Sequence, residues 1–283
     1  MSTAGVSLPR LGAQRMPATP RSSSTCLLSY SICCILRADI ICIQPYHREE
    51  DHMDHFEKIY AYNATEYHEM IAPEDVEANL VPALERATAL EGKRVLDLGS
   101  GTGRLPLLLH EKVADILAFD LNFPMLLEQQ KRSQEVGGDW PLVCGDNRHL
   151  PFHTRWADVV MAGWAIGHLR GWYADNWQAE IGKILRDMER VVIAGGTLII
   201  IETLTTGALE PAPPNEELAE YYTWLEGEWG YSRDTIQTDY QFESVEEAVA
   251  RTEFFFGPEL AETIRQNQWA RLPEWTGVWS KQV

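Results

Sequence analysis

Two periodicities divide the chain. Through "MDHFEKIYAYNATEYHEMI" (53–71) and "DVEANLVPALERA" (75–87) apolar residues recur three and four positions apart, which predicts two or three helices. The pattern then shortens. "RVLDLG" reads as a buried strand, and "RLPLLLHE" as a helix that follows it without a true loop. "ILAFD" predicts a second strand, and "FPMLLEQQKRSQE" a helix with Pro124 in its first turn, where a missing N–H costs nothing. "PLVCGD", "ADVVMAG" and "GTLIIIETL" are further β-rich apolar runs, and "WQAEIGKILRDMERVV" is a long helical segment ahead of the last. Strands alternating with helices imply parallel strands joined by right-handed crossovers, with helices on both faces. The predicted fold class is a doubly wound α/β sandwich.

In such a sheet a ligand sits outside the carboxyl ends of the strands, near the point where strand order reverses. Five stretches occupy those ends: "DLGSGTG", "FDLN", "CGDN", "AGWAIGH" and "ETLTTG". The first places glycines at 99, 101 and 103. A dinucleotide fingerprint wants G-x-G-x-x-G, and the sixth position here is Arg104, so nicotinamide or flavin binding is disfavoured. Asp120 stands 23 positions after Asp97, where a carboxylate accepts both hydroxyls of a ribose. Asp146 and Asn147 close the third strand, and a carboxylate there can accept from an exocyclic amine, which points to adenine.

Composition narrows the partners. The chain of 283 residues, 45% of them hydrophobic, can bury one substantial core. It carries 24 Lys and Arg against 42 Asp and Glu. Residues 1–50 hold five Arg and three acids, which leaves 19 basic and 39 acidic side chains beyond them, a formal charge of −20. Such a surface repels phosphate backbones and anionic membranes, so neither nucleic acid nor membrane is an expected partner. Cys26, Cys33, Cys34 and Cys42 lie in the first 45 residues and only Cys144 in the main body, so no disulfide framework is expected and a reducing, cytoplasmic setting fits. Residues 1–50 read as a disordered or incidental extension. Their Arg-bearing, acid-poor, Ser-rich start leaves an organellar targeting segment as the alternative. "HREEDHMDH" mixes His47, His52 and His55 with acids but has no matching second cluster, and no metal site is expected.

"VLDLGSGTGRL", "FDLNFPML", "VCGDNRHLPF", "ADVVMAGWAIGHL" and "AGGTLIIIETL" together resemble, in order and spacing, the successive motifs of class I S-adenosylmethionine-dependent methyltransferases. The resemblance implies a Rossmann-like methyltransferase fold, with a mostly parallel seven-stranded sheet and an antiparallel edge hairpin. "TDYQFES" and "EWTGVWSKQ" are the expected hairpin strands. It implies a methyltransferase domain over 51–283: N-terminal helices forming a lid (51–92), a cofactor-binding core (93–204), and acceptor-side helices with edge strands (205–283).

The resemblance also assigns roles. Asp97 and the loop of Gly99, Ser100, Gly101 and Gly103 would hold the methionine part of S-adenosyl-L-methionine, its carboxylate meeting backbone amides at the helix start. Asp120 would bind the ribose, with Leu121 and Asn122 beside the adenine. Asp146 would accept from the adenine amino group, with Asn147 flanking it. Gly163 and Trp164 would line the approach to the methyl group. His168 is the best-placed general base, needed only if the acceptor arrives protonated. Tyr60, Tyr67 and His68 on the N-terminal helices, with Trp172 and Trp224, are candidates for the acceptor pocket.

Subtypes can be pruned. The tetrapeptide that binds a flipped amino base is replaced by "AGWA", and Cys144 has no Pro-Cys neighbour, which argues against base-modifying enzymes. The expected acceptor is a small molecule, and an aromatic-lined, acid-flanked pocket suits a flat or cationic one. A non-catalytic S-adenosylmethionine-binding subunit is the alternative, and an NAD(P)-dependent oxidoreductase a weaker one.

Overall fold

A computed structural model describes residues 35–37, 40–43 and 53–283. Five strands form the parallel centre of the sheet: β3 (Arg94–Leu98), β4 (Asp115–Asp120), β5 (Leu142–Cys144), β6 (Ala157–Gly163) and β7 (Val192–Thr206). They run in the order β5-β4-β3-β6-β7, so the order reverses between β3 and β6. Each of these strands is buried on both faces, which is why each reads as an unbroken apolar run. Leu198, Ile200 and Leu204 of β7 enter one core cluster, while Ile199 and Ile201 enter the other.

Helices fill the two layers. α3 (Leu80–Ala87), α4 (Arg104–Leu109) and α5 (Phe123–Glu135) contribute to one cluster; α6 (His168–Trp172), α7 (Trp177–Val191) and α8 (Glu216–Gly227) contribute to the other. Over the strand ends lie α1 (His55–Tyr62), α2 (Ala64–Ile71) and α9 (Val245–Phe256). They pack through Ile59, Tyr60, Tyr67 and Phe255. Asp54 fixes the start of α1 with a reciprocal capping box to Glu57.

The antiparallel edge differs from expectation in one strand. β11 (Glu274–Gln282) is an antiparallel strand at the sheet edge as expected, where it pairs with β7, but its outer partner is β8 (Ser232–Gln237), not "TDYQFES". "SRDTIQ" turns only Ile236 into the core, and its charged residues suit an exposed edge. The apolar pair Tyr240 and Phe242 of "TDYQFES" instead joins a satellite cluster. Its β9 (Tyr240–Gln241) pairs with β10 (Arg271–Leu272), beneath α9 and α10 (Pro258–Asn267).

Among the described residues the sheet has nine strands rather than seven. β1 (Ile35–Arg37) and β2 (Ile40–Cys42) form a hairpin, and β2 runs parallel to β5, with Ile41 opposite Val143 and Cys42 opposite Cys144. The expected boundary at residue 51 therefore does not hold for residues 40–43. Ile40 and Cys42 are buried and supply the β-branched and apolar surface that a strand on this edge requires. The expectations of disorder or targeting for the rest of 1–50, and the thiols of Cys26, Cys33 and Cys34, lie outside the described residues, as do His47 and His52. Nε2 of His55 lies 3.2 Å from the Phe255 carbonyl oxygen. Among the described residues no helix is long and apolar enough to cross a membrane.

Candidate functional site

The reversal of strand order brings the loops after β3 and β6 together. Gly99 has φ +67°, and a Cβ there would lie 2.3 Å from Cβ of Ala165, so only glycine lets these loops close on each other. A cavity of about 1420 Å³ opens above them, between the strand ends and α1, α2, α6, α8 and α9. A pocket for one small ligand is typically about 300–1,000 Å³. This one has room for two reactants side by side.

One end of the cavity is built from β3, β4 and β5. Asp97 is 1% exposed, and neither of its carboxylate oxygens has a partner. Burial, with Asp120 nearby, pushes its pKa well above the ordinary carboxylate range. The Asp120 carboxylate accepts from the Gly101 amide at 2.8 Å and the Asn122 amide at 2.6 Å. Burial raises it to about 6 in spite of those two bonds. Ser100 Oγ lies 3.0 Å from the Gln129 amide, which props the loop from below.

At the end expected to hold adenine, Asp146 already has a partner. Arg148 takes both oxygens of Asp146, from Nε at 3.0 Å and from Nη2 at 2.6 Å. Burial works against ionisation, but these bonds outweigh it and hold Asp146 below the usual carboxylate range. Oδ1 of Asn147, in contrast, is buried and has no partner.

At the other end stand the acceptor candidates. Tyr60 Oη lies 2.8 Å from Nε2 of His168, whose ring stacks on Trp172 at 5.2 Å. Tyr60 and Tyr67 meet edge to face, and Phe255 and Phe56 continue the aromatic wall. Burial lowers the His168 pKa to about 4, partly opposed by Asp54, so the imidazole is neutral at physiological pH. Trp172 Nε1 donates to the Asp54 carboxylate, which ties α6 to the cap of α1.

The cavity gathers most of the residues singled out in the sequence. Asp97, Gly99, Ser100, Gly101, Asp120, Leu121, Asn122, Asp146, Asn147, Gly163 and Trp164 line it, with Tyr60, Tyr67, His168 and Trp172. Three do not reach it. Gly103 (φ +94°) caps α4 in a left-handed conformation, and its missing Cβ makes room for the Gln129 side chain. His68 faces Thr102 Oγ1 at 3.0 Å and so supports the loop from α2. Trp224 packs between Trp177 and Trp229 in the helical layer.

Other lining residues escaped the sequence reading. Arg104 bonds Glu74 at 2.5 Å and lies 4.1 Å over the Trp164 ring, while its Nη2 is buried without a partner. Glu202, inside "ETLTTG", is 6% exposed and accepts from the Gly167 amide at 2.8 Å. Burial raises it to about 8 against that bond. Phe255 and Phe256 come from "EFFF", an aromatic run that was the available signal for a further wall.

Comparison with known proteins places this geometry in a family. Residues 96–200 match the family model described as a methyltransferase domain. The chain is 36% identical over 110 residues to a malonyl-[acyl-carrier protein] O-methyltransferase of Legionella pneumophila, covering 38% of this chain and 35% of that protein. It is 30% identical over 122 residues to a demethylmenaquinone methyltransferase of Thermus thermophilus, covering 42% and 50%. The matches thus span about a third and about a half of these two relatives' lengths. In fold it is similar to an S-adenosylmethionine-dependent methyltransferase from Aquifex aeolicus (TM-score 0.50, 16% identity, 78% of this chain and 100% of that one). It is also similar to phosphoethanolamine N-methyltransferase 2 of Haemonchus contortus (TM-score 0.52, 14% identity, 82% and 61%). With the glycine loop, the buried acids Asp97 and Asp120 on successive strands and the large cavity above them, these matches make residues 96–200 a class I S-adenosylmethionine-dependent methyltransferase domain.

Proposed function

We propose that the chain binds S-adenosyl-L-methionine and transfers its methyl group to a small-molecule acceptor by in-line displacement. The observation that carries this reading is the state of Asp97. A buried carboxylate without a single donor is costly, and an ammonium group placed beside it removes the cost. An amino acid moiety supplies that ammonium together with a carboxylate, and Nη2 of Arg104, a residue lining the cavity beside the glycine loop, is a buried cationic donor without a partner. The amides of Gly99, Ser100, Gly101 and Gly103 are already bonded within the protein. The anion contact expected from them therefore passes to Arg104.

The remaining residues fit the rest of the cofactor. Asp120 keeps lone pairs for two ribose hydroxyls, and Leu121 and Asn122 flank the base. With Asp146 neutralised by Arg148, Asn147 Oδ1 is the better acceptor for an exocyclic amine, and Asp146 becomes its support. The bound group supplies an activated methyl, so the protein's main task is alignment. Gly163 and Trp164 line the approach. His168, neutral and held by Tyr60, orients the incoming nucleophile more readily than it strips a proton, since its basicity is depressed.

Calorimetric titration with S-adenosylhomocysteine and with NAD(P), followed by incubation with methyl-labelled cofactor and the small-molecule fraction of a cell extract, tests the proposal. Tight S-adenosylhomocysteine binding, indifference to NAD(P) and a labelled product are expected. Binding without any labelled product would favour a non-catalytic subunit.

A further inference from the structure

We infer that Glu202 is the acceptor-recognition residue, taking the ammonium of a small amine whose apolar body lies along the aromatic wall, so that nitrogen receives the methyl. This rests on the methyl-transfer reading above and names its substrate class.

The charges lining the cavity point to a cation. Its three arginines each already hold a carboxylate: Arg104 with Glu74, Arg148 with Asp146, and Arg170 with Glu220. Two arginine nitrogens are left over, Nη2 of Arg104, which the cofactor's own carboxylate claims, and Nε of Arg170, whose guanidinium Glu220 already neutralises. A phosphate or carboxylate acceptor would find no free cation there. Glu202 is the converse case. It is deep in the cavity wall, its carboxylate accepts from the backbone at Gly167, and no salt bridge reaches it among the described residues. Burial raises its proton affinity, against hydrogen bonds from the Gly167 and Ile166 backbone and the Tyr221 hydroxyl.

The surroundings match an organic ammonium rather than a metal ion. Tyr60, His168 and Tyr222 line the same cavity, and the charge of Glu202 is felt at the hydroxyls of both tyrosines. Ring faces attract an ammonium and pack against its carbon skeleton. No group of three or more metal-ligating side chains occurs among the described residues.

The step balances without a further reactant. Binding of the ammonium ionises Glu202 against its burial, and the ammonium then gives a proton to that carboxylate and exposes the nitrogen lone pair. The nitrogen–carbon bond forms as the carbon–sulfur bond breaks, and that electron pair stays on sulfur, leaving the neutral thioether. The product is a methylated ammonium, and Glu202 releases its proton to water. The neutral imidazole of His168 serves as a second hydrogen-bond partner for the nitrogen.

The test is the identity of the methylated atom. Wild-type protein is incubated with methyl-labelled cofactor and the small-molecule fraction of a cell extract, and the product is fragmented by mass spectrometry. An N-methylated amine is expected. Label on oxygen, carbon or sulfur overturns the inference while leaving methyl transfer intact, and absence of label removes both. Glu202→Gln keeps an oxygen for the Gly167 amide and drops the charge. It should lower kcat/KM for that amine about 100-fold, chiefly through KM, with S-adenosylhomocysteine affinity unchanged. Glu202→Asp should recover part of the loss. Wild-type kinetics in E202Q would overturn the assignment. So would weakened binding of S-adenosylmethionine but not of S-adenosylhomocysteine, because the charge would then serve the sulfonium.

Discussion

Asp120, the last residue of β4, accepts a hydrogen bond from the Gly101 amide at 2.8 Å, so the carboxylate of one strand end clamps the glycine loop of its neighbour. Its other oxygen takes the Asn122 amide at the start of α5. With the ribose role proposed for Asp120, cofactor recognition and loop conformation form one unit. Replacing Asp120 changes both together.

Asp120→Asn keeps the volume but loses the charge and one acceptor. S-adenosylhomocysteine affinity should fall about 10-fold to 100-fold, the loss expected for a charged hydrogen bond. The wild-type carboxyl titrates near 6, and only its ionised form accepts both hydroxyls. Affinity should therefore weaken as pH falls through about 6, and D120N should lack that inflection. Calorimetry across pH 5 to 8 reads both outcomes.

Asp97→Asn separates stability from function. The folded state raises the Asp97 pKa, so this residue's contribution to stability is most favourable below its unfolded pKa and is lost as pH rises toward the folded value. Without ligand, D97N should melt at a higher temperature than wild type at pH 7, with the gap closing in acid. Its cofactor affinity should drop at the same time. A lower melting temperature at pH 7 would mean that Asp97 already has a partner in solution.

How much of this was legible in the sequence follows from the kind of signal each residue sends. Buried strands announce themselves because both faces are apolar, as in "GTLIIIETL", and the glycine loop because three bare positions stand together. The edge strand "SRDTIQ" sent no such signal, since one inward residue, Ile236, does not make a pattern. Tyr240 and Phe242 did, but for a different small sheet. His68 and Trp224 share helices with true lining residues, and sequence spacing alone does not say which side of the helix meets the cavity. Glu202 is a single acid in an apolar run, meaningful only once Gly167 and the cavity lie beside it. Asp146 and Asn147 were found together, but the guanidinium that occupies Asp146 comes from Arg148, whose side chain folds back in a way no spacing encodes.

Gly99→Ala should abolish cofactor binding while the domain stays folded. The substitution forces an unfavourable φ of +67° and a 2.3 Å approach to Ala165, so the loops after β3 and β6 must separate. Backbone strain of this kind costs about 1–3 kcal/mol, which a domain of this size survives. Circular dichroism should remain close to wild type, and S-adenosylhomocysteine titration should show no saturable heat.

Tyr60→Phe tests the pair proposed to face the acceptor. The Tyr60 hydroxyl is 2.8 Å from Nε2 of His168, and Trp172 stacks on the imidazole ring. Removing the hydroxyl leaves the imidazole in place but frees it to tilt, so turnover should fall about 10-fold through misalignment while S-adenosylhomocysteine affinity is unchanged. The pH behaviour of the pair is equally specific. Burial favours neutral His168 in the folded state, so its stabilising contribution is complete above about 6.5. It is lost as pH falls from there toward about 4. His168→Gln should accordingly blunt acid unfolding in that window. Across pH 6 to 8, kcat should show no inflection that disappears with this substitution. An inflection near 6.5 that H168Q removes would make His168 a titrating base in contact with water, and the neutral, orienting role would be wrong.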